Sequence, residues 1–491
     1  MVARLFRSGL TLLAVFVVVW IAVIVWWQSV NRMPTTADIF TYLLLLPLGM
    51  IVGYWVIKRA VDGIRSNVAA GRELSAAAPA AARADAQPAD AQDTTRQWRA
   101  VLLASALRAP AGGDAASVVE AVQANAQPGL IDVQGVGQPV FAAPVDGLDT
   151  EDLRAELRDQ HPDLDWPDER LRALALAGQV AEELAAHAVA HAPQPAESEA
   201  TRLIVTALLP REWTPQQQAA ADAWLRQRIA QMWPADHLTI EPIAAKGDAD
   251  ALLLLDRATQ GVNRASDTPV LRMVLVSDSL VGPSAVEHLM QHEQLFEAHR
   301  QHGRVPGEAA AGVLLCAQDM AQRLMPAALA GDAPPAESFT ITRASVTRLD
   351  APTPDRGQPQ LKALGEAVGH VLDTLAAAAA QSTHDALPAG QADGDGASAP
   401  ISVAGVVSDT GMHPVRTVEV ARVFAERLPA LDVAADLLPV GTPCGYVGAA
   451  GPLLSVVVAH QLSQQTSKPV LAITANDIQQ RGAIAVVPSL T

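Results

Sequence analysis

Apolar and polar positions alternate in blocks along most of this chain, and the blocks read as strands and helices in turn. Short apolar runs predict strands at Trp98 to Ala106, Thr201 to Leu208, Leu238 to Ile243, Pro269 to Val276 and Ala310 to Cys316. Further strands are predicted at Ser338 to Thr347, Ile401 to Val407, Val433 to Leu438, Pro469 to Thr474 and Ala483 to Val487. Between them, helical periodicity covers Ala115 to Ala124, Thr150 to Asp159 and Pro167 to His187. It returns at Asp250 to Thr259, Lys362 to Ala380, Val415 to Leu428 and Pro452 to Leu462. Thr214 followed by Pro215 reads as an N-cap and first-turn proline opening a helix to about Met232. Strands alternating with helices predict an α/β class with mainly buried strands.

Two stretches depart from this rhythm. Gly9 to Trp27 is uncharged and 19 residues long, and Ile39 to Ile57 is a second such run. At about 1.5 Å per residue the first reaches roughly 28 Å, a bilayer core. Trp26, Trp27, Tyr54 and Trp55 sit at the ends, as interfacial anchors do. Residues 1–65 therefore predict a two-helix transmembrane hairpin with spans at 9–27 and 39–57. Arg4 and Arg7 precede it, and Lys58, Arg59 and Arg65 follow it, so the positive-inside rule puts both termini and the large domain in the cytoplasm of an inner membrane. Residues 66–97 are rich in alanine, proline, glutamine and aspartate and read as a flexible tether. Residues 381–400 are polar and glycine-rich and read as a connection between two halves, 98–380 and 401–491.

Charge narrows the partners. The net charge is −17, while the first 65 residues carry +4, leaving about −21 on the body. An acidic body repels phosphate backbones, which argues against nucleic acid. Two cysteines, Cys316 and Cys444, make no disulfide framework and suit a reducing compartment. His187 with His191, and His288 with His292, have i, i+4 spacing but lack the glutamate of a zinc helix, so no metal is expected. No phosphate loop and no nucleophile elbow is present. No cofactor is implied.

The turn Pro443-Cys444-Gly445-Tyr446-Val447-Gly448-Ala449-Ala450-Gly451 carries the most specific signal. Its last four residues resemble the Gly-His-Thr-x-Gly-Ala-Ala-Gly turn of condensing enzymes of the beta-ketoacyl synthase type, in the thiolase superfamily. Val101 to Gly113 resembles that family's first strand and glycine turn. Gly307 to Leu315 resembles its Gly-Glu-Gly-Ala strand, and Val407 to Met412 with Thr417 to Val420 resembles its His-Gly-Thr-Gly-Thr stretch and following helix. The resemblance covers most of Trp98 to Thr491. It implies a thiolase-like fold of two α/β halves layered α-β-α-β-α, and by analogy a possible homodimer.

The chemistry implied by that family is missing from its positions. Its cysteine nucleophile falls near Ala245 to Ala249, where no cysteine stands; Ser408 replaces one histidine, Gly445 the other, and the lysine maps near Val440. Such condensation needs a thiolate and imidazole stabilisation of the oxyanion, so a catalytically dead fold is expected. Cys444 has no base partner in sequence, and a Ser408, His413 and Asp409 grouping would need adjacent loop residues to converge. The whole plan resembles adaptor proteins for lipase effectors of the type VI secretion system. That resemblance implies a non-enzymatic protein that holds a phospholipase effector and helps load it onto the spike protein. Two further readings stay open: a membrane-anchored acyl-binding or acyl-transfer protein with a residual pocket, and an immunity-type inhibitor of a membrane-active toxin.

Overall fold

A computed structural model describes residues 95–489 except 134, 193–200, 211, 265–268, 325–337, 353–358 and 387–401. Both expected membrane spans, the anchors Trp26, Trp27, Tyr54 and Trp55, and the tether up to residue 94 lie outside the described residues. Among the described residues no helix is long and apolar enough to cross a membrane.

The first set of elements runs β1 (Ala100–Arg108), α1 (Ala115–Gln123), a small hairpin of β2 (Gly129–Asp132) and β3 (Pro139–Ala142), α2 (Glu151–Gln160) and α3 (Asp168–His191). It continues β4 (Arg202–Leu209), α4 (Pro215–Ile229), β5 (Leu238–Ala244), α5 (Asp250–Asn263), β6 (Val270–Ser279), α6 (Pro283–Gln291), β7 (Glu308–Cys316) and α7 (Gln318–Leu324). The second set is β8 (Phe339–Ile341), β9 (Ser345–Arg348), α8 (Leu361–Ala386), β10 (Gly405–Ser408), α9 (Pro414–Arg427), β11 (Leu437–Pro439), α10 (Gly451–Thr466), β12 (Val470–Thr474) and β13 (Gln480–Pro488).

The strand order exposes a duplication. The sheet reads β5-β4-β6-β7-β1 on one side and β11-β10-β12-β13-β8 on the other. In each half the outermost pair and the next are parallel, and the two pairs after them are antiparallel. The two halves meet where β1 pairs antiparallel with β8, at Ala100, Val101 and Leu102. Each half thus opens with its innermost strand, and the second opens at Phe339. The composition boundary drawn at 381–400 falls within the second half instead, and α8 runs through it to Ala386.

Period-two alternation in the strands separates three apolar cores. On β7, Ala309, Ala311, Val313 and Leu315 face a central core, while Ala310, Leu314 and Cys316 face an outer one. On β13, Ile484 and Val486 join the central core, and Ala483, Ala485 and Val487 a second outer one. Helices α5 and α10 supply the central layer; α3 and α4 cover the first half, α8 and α9 the second. Helix α10 is buried through most of its length, with no polar stripe until Gln464.

Two expected strands differ from what forms. Val433 to Asp436 is a helical turn, because the Asp432 carboxylate accepts from the Ala434 N–H; only Leu437–Pro439 is strand. Ser338 to Thr347 breaks into β8 and β9. The break comes where the Arg343 guanidinium and the Ala344 N–H both turn to the Asp256 carboxylate on α5.

Candidate functional site

The central helices α5 and α10 both begin at one end of the molecule, each preceded by the turn that follows the edge strand of its half. A helix N-terminus offers unpaired N–H groups and a positive dipole end, the setting that lowers a nucleophile's pKa. Here both ends are closed by carboxylates. The Lys246 and Gly247 N–H groups donate to Asp250 Oδ2 at 2.6 and 3.2 Å, and the Ala249 N–H donates to Asp477 Oδ2 at 3.2 Å. At α10 the Ala449 N–H donates to Asp278 Oδ2 at 3.1 Å. The arrangement is reciprocal. Asp278 ends the fourth strand of the first half and caps the central helix of the second. Asp477 follows the corresponding strand of the second half and caps the central helix of the first.

Between the caps lies a cleft of about 310 Å³, lined by Lys246, Asp248, Asp278, Arg304, Tyr446 and Asp477. Asp248 stands in Ala245 to Ala249, the stretch where the sequence resemblance leads one to expect a nucleophile. Burial raises its pKa, opposed by Arg304 and by the Tyr446 hydroxyl, which donates to Asp248 Oδ2 at 2.8 Å. Arg304 stacks on the Tyr446 ring, 4.1 Å from its centroid. Burial lifts Asp278 to about 7, with Glu212 and Asp248 adding to the rise and the Ala449 N–H opposing it. Asp409 rises to about 6 for the same reason, although Thr474 and the Ala475 N–H hold its carboxylate. Asp278, Arg304 and Asp477 had no local signal in sequence. Their roles appear only once the two halves are paired.

The sequence-derived positions are all structural. The Ser408 hydroxyl lies 2.6 Å from the Thr410 hydroxyl, fully buried. Val440 is buried, its N–H donating to Ser408 O at 2.9 Å. Gly445 adopts φ +69° and ψ −165°, a region open to glycine alone. A Cβ there would sit 2.8 Å from Val305 O, because the Tyr446 N–H donates to that carbonyl at 2.7 Å. A histidine has no room at 445 unless this backbone moves.

The remaining candidates are equally occupied. Cys444 is wholly buried in the central core and Cys316 in an outer one; burial pushes both thiols to about 12. His413 caps α9, accepting from the Arg416 N–H, and does not join Ser408. His288 and His292 stack on each other, exposed. No cluster among the described residues could hold a metal ion. The stretches that carried the resemblance have internal tasks: buried Glu308 binds Arg172, Ser279 and the Val145 N–H, and buried Glu419 binds Arg481 and Arg416.

No family model matches the chain, and no curated protein matches it. Solved structures do. The ketosynthase from module 6 of the bacillaene synthase of Bacillus subtilis superposes with a TM-score of 0.52 at 14% identity, covering 80% of this chain and 72% of that one. An oxazolomycin ketosynthase domain of Streptomyces albus gives 0.51 at 13% identity, covering 80% and 75%. The body has a ketosynthase-like, thiolase-type fold. At such identity the likeness is one of fold alone, and the expected α/β class with two related halves stands on it and on the strand order.

Proposed function

We propose that this ketosynthase-like protein performs no condensation and acts by holding another protein, tethered to the inner membrane by its N-terminal segment. One observation carries the reading. The N-terminus of α5, where a thiolate would be activated, is closed by Asp250 and Asp477, with half-buried Asp248 beside them. A carboxylate cannot take an acyl group from a thioester and pass it to a carbanion as a thiolate does. The resemblance in plan makes the held protein a phospholipase effector of a type VI secretion system, delivered to the spike protein.

The test has two arms. Full-length protein in detergent is assayed with acyl and malonyl thioesters, and product formation would overturn the reading. Tagged full-length protein is then purified from cells expressing the lipase and the spike protein. Recovery of both supports the adaptor role; recovery of neither rejects it. Stoichiometric recovery of a bound acyl chain instead would favour the acyl-binding reading, which the 310 Å³ cleft allows by size but its carboxylates oppose for anionic carriers.

A further inference from the structure

A second cavity, of about 250 Å³, opens on the other flank of β1. Strand β8 pairs with β1 only as far as Leu102, so Leu103 to Leu107 line this cavity along the strand. Helix α3 forms another wall with Glu183 and His187, and α10 a third with Val457, His460 and Gln464. Within it, Ser105 Oγ lies 2.8 Å from His460 Nδ1. Ser105 is partly exposed, whereas His460 is 6% exposed.

We propose that Ser105 is an acyl-acceptor site, acylated once by an uncharged activated ester or thioester with His460 as general base. The geometry is that of an activated nucleophile: a hydroxyl at hydrogen-bond distance from an imidazole whose far side is also held. With Nδ1 accepting, the ring proton sits on Nε2, which lies 3.2 Å from the Gln464 side-chain nitrogen, so this tautomer requires the Gln464 amide turned over with its oxygen towards the ring. Phe339 packs edge-on against the ring at 5.1 Å between centroids and fixes its plane. Burial drops the His460 pKa to about 4, so the imidazole is neutral and able to accept throughout the physiological range.

The step balances. Ser105 Oγ attacks the carbonyl carbon and its proton passes to Nδ1. The tetrahedral intermediate expels the alcohol or thiol, which takes that proton, and an ester forms on Ser105. The acyl group on Ser105 fills the space beside Nδ1 where an attacking water would have to sit, and so it stays on. Of the two acidic groups on the wall, Glu183 is paired with Arg108 at 2.8 Å and Asp114 is not, so the cavity favours uncharged over anionic acyl donors. This site lies apart from the carboxylate cleft and does not depend on the adaptor reading.

Full-length protein in detergent is treated with p-nitrophenyl acetate, and peptides are mapped by mass spectrometry. The expected result is a burst of one nitrophenolate per chain, acetyl on Ser105 and negligible turnover. Ser105→Ala abolishes the burst while keeping its circular dichroism melt. His460→Gln slows acetylation by about 100-fold or more, as loss of a general base does. The wild-type rate is flat between pH 6 and 9. Absence of acetyl on Ser105 in the folded wild type, or wild-type rates in His460→Gln, overturns the proposal. If Ser105→Ala does not fold, the wild-type map and His460→Gln decide.

Discussion

At the scale of single residues, the backbone conformation of Gly445 and the burial of Asp278 each set an expected outcome. Gly445→His puts an imidazole where this backbone leaves no room for one. The side chain enters a glycine-only conformation against Val305 O, so the variant is expected to lose about 2 kcal/mol or more and to gain no condensing activity. Chemical denaturation with a thioester assay reads both. Asp278 gives a sign test. Its folded pKa of about 7 lies above the unfolded 3.8, so the native state holds the proton more tightly. The associated stability is complete at low pH, is lost as pH rises through 7, and stays lost above it. Asp248 and Asp409 shift in the same direction. The melting temperature is therefore expected to rise as pH falls from 8 towards 5.5, against the usual effect of acid. Asp278→Asn keeps an oxygen for the Ala449 N–H, removes the half-buried charge and raises stability at pH 8, by at most about 4 kcal/mol. A flat or opposite pH profile in the wild type would refute this.

At the scale of elements, the reciprocal caps join the halves by polar contacts that the apolar pattern does not contain. The Asp477 carboxylate accepts from Ala249 at the N-cap of α5 and from Gln479 and Gln480 in its own turn. Asp477→Ala leaves these donors without their acceptor and is expected to cost about 2 kcal/mol. Hydrogen exchange should speed up at the start of α5, in the other half of the chain, as well as at residues 477–480. Protection lost only at the local turn would mean the cross-half cap contributes nothing. The elements themselves were largely legible in sequence. Apolar runs marked β4 to β7 and β12 closely; β7 and β12, buried on both faces, read as continuous hydrophobic stretches. The misreadings, at Val433 to Asp436 and at Arg343–Ala344, occur where a single aspartate redirects the backbone. Periodicity has no term for that.

At the scale of the whole molecule, the shared central core and the β1–β8 pairing make each half part of the other's fold. Within the body, Trp98, Trp166, Trp213, Trp224 and Trp233 all precede β8, so tryptophan fluorescence of the body reports the first half alone. Far-ultraviolet circular dichroism reports both. With Trp20, Trp26, Trp27 and Trp55 replaced by phenylalanine, the two urea transitions of full-length protein in detergent are expected to coincide. Separate midpoints would mean that the halves unfold independently.

Sequence by itself determined the α/β class, the rough placement of most elements and the likeness to a ketosynthase fold. Those features are local: period, composition and short motifs. Tertiary structure alone decided where the second half begins, and that the two helix starts are closed from opposite halves by Asp278 and Asp477. It also decided that Ser105 meets His460, 355 positions away. The physical reason is distance along the chain. A carboxylate's partner, a buried group's pKa and a nucleophile's base are set by what folding brings within about 3 Å, and no window of neighbouring residues contains that information.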